Sequence, residues 1–362
     1  MRAQSLADLR CPRCSAALSP SEDQIELVFG RLDEIREGLL VCNSCEEHYP
    51  VIAGVAILVE NPLTYLAMNY AAIVKEAGKW LSTSFSRYLE SKSLDLLSED
   101  TTSVSVGWRR DYSPYIFAHY ERLETAPNSE ALRRTMAVPY GDWYSEFLAM
   151  ASRHMNTGDK FLDIGSNVGG LVHRAAPRFK LAYGVDLSFS AVLLARQLVL
   201  GEPEPLGSYR LQREGARYES RDLKIATRTN AEFVVASVAG LPFPQNNFDL
   251  VTCANLIDIV PRPDQLTQAV HAVIRPNGFF LTTDPYFWHL GTASLESWAG
   301  GRNNETSADA MRKLVSEQFV VVDERDMVPW LLRYYDRYCQ LFFNHHILAK
   351  SAAGVLDDGS VG

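Results

Sequence analysis

Two groups of residues in this chain have the types and spacing to do chemistry. The first is a pair of CxxC knuckles, Cys11-Pro-Arg-Cys14 and Cys42-Asn-Ser-Cys45, separated by 27 residues. Each knuckle presents two thiolates from one tight turn, and two knuckles complete a tetrahedral sulfur set for a closed, structural ion, with zinc the best fit. The separation exceeds the usual ribbon spacing and implies a longer hairpin between the knuckles. The second group is FLDIGSNVGGLVHRAA (161–176) followed by YGVDLS (183–188). An apolar run leads into Asp163 and a glycine-spaced loop, and a second apolar run ends in Asp186. This is the layout of a nucleotide-type cofactor site at the carboxyl edge of a parallel sheet.

Gly165 and Gly169 let the backbone turn tightly and approach a ligand. Between them Asn167 replaces a middle glycine, a residue that still tolerates the left-handed conformation. Asp186 ends the second strand, where a carboxylate takes both ribose hydroxyls, and Leu187 would lie along an adenine. Ser237 and Val238 follow the third run and would meet the adenine edge. A carboxylate two places before the first glycine suits a cationic amino group. S-adenosylmethionine carries one on its methionyl end, and NAD does not.

The elements that must position these residues are legible as alternation. KFLDIG, LAYGVDL, AEFVVAS, FDLVTCAN and GFFLTTDP are short apolar runs, with helical stretches such as SAVLLARQLVL and PDQLTQAVHAVI between several of them. The pattern predicts an α/β fold, a doubly wound, mostly parallel seven-stranded sheet. The last apolar runs suit an antiparallel final strand. Four segments are expected: a zinc-ribbon module over 1–60, a helical linking and substrate-cap segment over 61–156, the catalytic domain over 157–352, and a flexible tail over 353–362. Within the second, SEDTTSVS (98–105) reads as a linker, and Tyr112, Tyr115, Tyr140 and Trp143 are candidates to wall a pocket.

With 362 residues, the chain has room for more than one module, and its formal charge of −9 disfavours a large nucleic-acid partner. Residues 1–60 hold five Arg and no Lys against three Asp and seven Glu, a net of −5. A ribbon that grips RNA should be basic. No apolar run approaches the roughly 20 residues of a membrane span. The N-terminus lacks a signal pattern, so a cytoplasmic protein is expected.

Residues 7–60 resemble the small zinc-ribbon proteins that partner and activate methyltransferases, through the CxxC pairs, Tyr49-Pro50-Val51-Ile52, Gly54-Val55 and Ile57-Leu58-Val59. A protein partner docking through this module is one implication. Residues 157–350 resemble class I S-adenosylmethionine-dependent methyltransferases, through Asp163-Ile164-Gly165-x-x-x-Gly169, Gly184-Val185-Asp186-Leu187-Ser188, Leu241-Pro242-Phe243, Phe248-Asp249-Leu250-Val251 and Arg275-Pro276-Asn277-Gly278. The usual acidic residue before Leu-Pro-Phe is Ser237 here.

A narrower likeness, over 253–266, 276–289 and 325–351, is to the methyltransferase domain of ovothiol-biosynthesis enzymes, with carnosine N-methyltransferases sharing a looser version. It rests on Asn255-Leu256-Ile257-Asp258, Pro285-Tyr286-x-Trp288, and Asp326-Met327 with a following aromatic-basic helix. The insertion 209–225 fits the same group. The resemblance implies a small histidine-like substrate.

Methyl transfer is an in-line displacement that needs alignment and exclusion of water. An imidazole with pKa near ~6.5 already offers a lone pair at neutral pH, so a hydrogen-bond acceptor that fixes its tautomer serves better than a strong base. Asn255 is therefore expected to orient the acceptor and also to touch the cofactor. Asp258 is expected as the hydrogen-bond acceptor and Tyr286 as the ring contact. Asp284, Tyr286, Trp288, His289 and Arg333 are the expected substrate-binding set. His345 and His346 do not make a metal pair, because neighbours on a strand face opposite sides. The competing readings are an RNA base methyltransferase with a zinc module and a non-catalytic cofactor-binding scaffold.

Overall fold

The computed structural model describes residues 1–21, 28–29, 34–97, 112–122, 125–126, 142–288 and 294–352. The expected linker 98–105, Tyr140, His289 and the tail 353–362 lie outside them.

The N-terminal segment is a set of short strands: β1 (Leu18–Ser21), β2 (Val28–Phe29), β3 (Ile35–Cys42), β4 (His48–Ile52) and β5 (Val55–Leu58). Helices α1 (Pro62–Ala77), α2 (Thr83–Leu97), α3 (Ser113–Tyr120) and α4 (Trp143–Ser152) follow. Then come β6 (Gly158–Ile164), α5 (Gly170–Ala175), β7 (Phe179–Asp186), α6 (Phe189–Ala195), the strand pair β8 (Ser208–Glu214) and β9 (Arg217–Asp222), and β10 (Ala231–Ala236). The chain continues through β11 (Phe248–Ala254), α7 (Pro263–Val273), β12 (Ile274–Asp284), α8 (Ser307–Ser316), β13 (Phe319–Tyr335) and β14 (Tyr338–Ser351).

Seven strands run in the order β10-β7-β6-β11-β12-β14-β13, with β14 antiparallel to both neighbours, as the alternation predicts. The sheet does not stop at seven. Strand β5 pairs in parallel with β10, Val235 opposite Ile57 and Ala236 opposite Leu58, and β4, β3 and β1 carry the sheet onward. The result among the described residues is one mixed sheet of twelve strands. The physical reason is edge protection: β10, all of whose residues are buried, would otherwise present an unpaired backbone edge, a ready template for aggregation. All four residues of β5 are buried, so they serve as core.

Alternate residues feed two apolar layers, one on each face. Phe161 of β6 packs with Phe233 and the α3, α4 and α5 side, while Leu162 packs with Tyr183, Val234 and the α7 side. Across the junction, Arg196 is fully buried against both Glu34 of the module and Glu232 of β10. Asp8 accepts from Tyr183 Oη (2.7 Å) and from Lys160 Nζ (2.6 Å).

One expected element is different. The segment after Asp326-Met327 is not an aromatic-basic helix but the continuation of β13, turning into β14. Pro329 is tolerated there because β13 is an edge strand, whereas a helix interior would lose a hydrogen bond and clash. The insertion 209–225 forms the β8–β9 hairpin. Beyond Asp284, the last partner of β14 on β12, the β13–β14 hairpin runs on past the carboxyl edge. There Asp336 N donates to Arg213 O of β8 (2.9 Å).

Candidate active site and metal centre

The glycine loop sits where β6 ends. The amides of Gly165 and Ser166 both donate to Val185 O (2.8 and 2.9 Å), which folds the loop back onto β7. Gly165, Asn167 and Gly169 have φ of +75°, +47° and +82°. Asn167 thus holds the left-handed conformation its side chain tolerates. At Gly169 a Cβ would come within 2.8 Å of the Phe233 ring, so the position also needs glycine's lack of volume.

Asp163 is 2% exposed and accepts from Thr252 Oγ1 (2.7 Å). Burial pushes its carboxyl up to about 7, against the opposing pull of the Thr252 hydroxyl. A buried carboxylate of this kind fits the amino group of an S-adenosylmethionine, whose positive charge would offset its desolvation. Asp186 accepts from Asn167 N (3.0 Å) and Ser188 N (2.9 Å), one on each carboxylate oxygen. Ser237 accepts from Ala239 N (3.2 Å) and opens the turn that holds Val238. Leu187 is 56% exposed on the loop after β7.

Helices of the middle segment close over this edge. Tyr65 of α1 donates its hydroxyl to Leu187 O (2.7 Å) and accepts from Phe189 N (3.0 Å). Tyr112 Oη and Ser188 Oγ are 2.7 Å apart. Sequence reasoning missed Tyr65, which reads as one more apolar position at helical spacing. Tyr115 packs beside Tyr112, with ring centroids 6.3 Å apart.

Asn255 follows β11 with φ +53°, and its Oδ1 accepts from Asn344 Nδ2 (2.6 Å). Asp258 and Asp284 are buried and pin two loops together. Asp284 accepts from the amides of Tyr286 (2.7 Å), Ile257 (2.9 Å) and Asp258 (3.4 Å), while Asp258 Oδ2 accepts from Phe287 N (2.9 Å). Burial, and then the Asp258 charge, push the Asp284 carboxyl well up. Asp284 thus organises both loops through backbone amides, and Asp258 is engaged with backbone. Trp288 donates its indole N–H to Ser307 Oγ (2.9 Å) and stacks on Trp298 at 5.8 Å, so it packs the loop. Arg333 is buried against Asp336 (2.5 Å) and donates to Gln212 O (3.2 Å), tying the two hairpins together.

Tyr286 begins a chain of contacts not foreseen from sequence. Its hydroxyl lies 2.7 Å from His345 Nδ1, His345 Nε2 lies 2.6 Å from Glu324 Oε1, and Arg312 forks onto Glu324 (2.7–3.0 Å). His346 faces the other side, against Trp143 and Phe147. The strand alternation that rules out a shared metal is the signal that separates these two histidines.

The four cysteines converge, with one sulfur of each within 4.8 Å of every other. Cys11 and Cys45 sulfurs are 3.6 Å apart, and those of Cys14 and Cys42 3.4 Å. Four thiolates around an ion at ~2.3 Å require nearly this spread. The amides of Ser44 and Cys45 point at Cys42 Sγ (3.4 Å each), and Tyr49 Oη meets Cys11 Sγ (3.0 Å). Burial opposes ionisation of Cys42, yet these amides and its thiol neighbours hold it down at about 6.

Residues 162–282 match the family model described as "Methyltransferase domain". This stretch is a class I S-adenosylmethionine-dependent methyltransferase domain. The methyltransferase domain has curated relatives. A demethylmenaquinone methyltransferase of Symbiobacterium thermophilum is 27% identical over 161 residues, 43% of this chain and 54% of that protein. A ubiquinone biosynthesis O-methyltransferase of Pasteurella multocida is 22% identical over 143 residues, 40% of this chain and 50% of that one. The chain spans about half the length of these two relatives. Among solved structures, an S-adenosylmethionine-dependent methyltransferase from Methanosarcina mazei is 16% identical with a TM-score of 0.41, covering 56% of this chain and 97% of that one. No helix among the described residues is long and apolar enough to cross a membrane.

Proposed function

We propose that the protein transfers a methyl group from S-adenosylmethionine to a ring nitrogen of a small imidazole- or histidine-like acceptor, and that its cysteine cluster binds a structural zinc ion. The observation that carries the reading is the position of Asn255. It follows β11 at the carboxyl edge, one strand from the glycine loop, and its amide is held by Asn344. A fixed amide there orients a neutral acceptor without acting as a base.

When bound, S-adenosylmethionine supplies an electrophilic methyl on a sulfonium. The chain's residues do the rest. Asp163 holds the amino end, Asp186 takes the ribose, and the loop at Ser237 and Val238 borders the adenine. Tyr65 of α1 and Tyr112, the residue before α3, exclude water from the ribose side. A neutral imidazole attacks through its lone pair, after which its other N–H is acidic. Tyr286 passes that proton to His345, whose far nitrogen faces Glu324.

The same Tyr286–His345–Glu324 chain favours one second reading, O-methylation. A hydroxyl acceptor must lose its proton, and this chain supplies a route for it. Relatives named as O-methyltransferases are consistent with that alternative.

The deciding experiment is mass spectrometry of reactions with methyl-labelled S-adenosylmethionine and a pool of histidine, thiolated histidines, carnosine and catechols. A label on an imidazole nitrogen is the expected result. A label confined to a hydroxyl overturns N-methylation in favour of the second reading.

A further inference from the structure

The methionyl end of S-adenosylmethionine carries an α-ammonium and an α-carboxylate. Asp163 suits the ammonium, while Asp186, Ser237 and Val238 suit the ribose and the adenine. The carboxylate is left without a donor, and a charge shielded from water needs one. Two unpaired donors stand beside the glycine loop, both from the middle segment.

Helices α3 and α4 both pack on α5. At the end of α3, Tyr120 donates its hydroxyl to Val168 O (2.5 Å), and His119 Nδ1 accepts from Gly170 N (3.0 Å). The His119 ring lies so close to Gly170 that a Cβ there would collide with it, so the glycine is what admits the histidine. The bond to Gly170 also fixes the tautomer. Burial, then the Arg174 charge, lower the His119 pKa to about 3, so the ring is neutral and carries one proton. Nδ1 is the acceptor, and the proton therefore sits on Nε2. That N–H has no partner among the described residues.

Tyr144 of α4 stands against the same ring, with centroids 4.5 Å apart. Its hydroxyl also lacks a partner among the described residues. Burial pushes the phenol up, the Arg174 charge pulls it down, and the Asp163 charge pushes it up again. Tyr144 therefore keeps its proton and lies within the field of Asp163. Behind both donors is Arg174, which donates to His119 O (2.7 Å), lies 5.4 Å from the Tyr144 ring centroid and pairs with Asp142 (3.0 Å). Two neutral donors backed by a guanidinium suit an anion. His119 and Tyr144 are only 6% and 5% exposed, so a group that pairs with them is shielded from water, where a charge-assisted hydrogen bond is strong.

We propose that His119 Nε2–H and Tyr144 Oη–H hold the α-carboxylate of S-adenosylmethionine, beside the ammonium given to Asp163, and make the protein discriminate this cofactor from its decarboxylated form. Helices α3 and α4 thereby read the end of the cofactor that the sheet does not. In this arrangement His119 has two jobs on two nitrogens: Nδ1 grips the glycine loop and Nε2 binds the ligand. The inference rests on S-adenosylmethionine as the cofactor and is independent of the acceptor.

Calorimetric titration of the full-length protein with S-adenosylmethionine and with decarboxylated S-adenosylmethionine tests it. The second compound keeps the ammonium and the sulfonium and lacks the carboxylate. Wild type should bind S-adenosylmethionine at least ~10-fold more tightly. His119→Asn keeps an acceptor for Gly170 N at the Nδ1 position and deletes the Nε2 donor, and Tyr144→Phe deletes the hydroxyl and keeps the ring. Each should weaken S-adenosylmethionine binding ~10-fold and leave the decarboxylated compound and the melting temperature unchanged, so that the preference collapses. A merely structural role would weaken both compounds alike, and that result overturns the proposal. Equal affinities of wild type for the two compounds overturn it too, as does an unchanged preference in the folded variants. Should His119→Asn fail to fold, Tyr144→Phe decides alone. Wild type that binds neither compound sinks the cofactor reading itself, and this assignment with it.

Discussion

Ile57 of the N-terminal module lies opposite Val235 of the methyltransferase domain in a parallel strand pair. The pair sits two residues before Ser237, where the cofactor's adenine edge is expected. The first cysteine knuckle touches the same loop from the other side: Arg10 N donates to Pro242 O (2.9 Å), and a Cβ on Gly240 would meet Pro12 at 3.3–3.4 Å. Stripping the ion with a strong chelator, or replacing Cys14 with Ser, should therefore lower the melting temperature and weaken S-adenosylmethionine binding together. Calorimetry on the metal-free protein checks this. Unchanged cofactor affinity after verified metal loss would show that the knuckle does not support the loop.

Arg196 is fully buried between Glu34 and Glu232. Replacing it by Met leaves two carboxylates without their shared counter-ion, a change that typically costs about 3–5 kcal/mol. Chemical denaturation should show a loss of that order in Arg196→Met. A loss below about 1 kcal/mol would mean that other groups neutralise the cluster.

Asp163 gives a pH signature. Burial raises its carboxyl to about 7, so the free protein at lower pH holds it protonated. A raised carboxyl pKa stabilises the fold at low pH, and that contribution is lost as pH rises from about 4 through 7. Cofactor binding runs the other way, because the ammonium prefers the ionised form. Affinity should fall by up to about tenfold per unit below pH 7 and level off above it. Asp163→Asn should flatten this dependence and weaken binding. Titrations between pH 5.5 and 8.5 decide it, and identical slopes in both proteins would count against the contact.

Tyr286→Phe removes the hydroxyl 2.7 Å from His345 while keeping the ring. If the chain to Glu324 carries a proton, kcat should drop about 10²-fold with little change in cofactor affinity. A kcat within twofold of wild type across the pH range would reduce Tyr286 to a packing residue.

Much of this molecule was written in local sequence. The two CxxC pairs, the glycine loop with Asp163, the carboxylate at Asp186 and the alternation of apolar runs depend on short-range spacing, and each sits at the predicted position. Where a residue's neighbours come from distant elements, spacing was silent. Arg333 and Asp284 are expected substrate contacts in the sequence, whereas their partners, Asp336 for the first and three backbone amides for the second, come from the fold. The last apolar runs suit an antiparallel strand, but the resemblance implied an aromatic-basic helix for the segment directly after Asp326-Met327. Its pairing with β12 made it a hairpin instead, because backbone groups at a sheet edge are satisfied most completely by another strand.

The sequence by itself determined the chemistry on offer: four thiolates for one ion, and a carboxylate-flanked glycine loop for a cationic cofactor. These follow from residue type and spacing along a few turns of chain. Only the tertiary structure decided that β5 closes the edge of β10 and makes the module part of the catalytic sheet. It alone sent His345 toward Tyr286 and His346 toward Trp143, and joined Asn344 to Asn255. Those relationships span tens to hundreds of residues, and burial on a particular face, rather than local propensity, sets them.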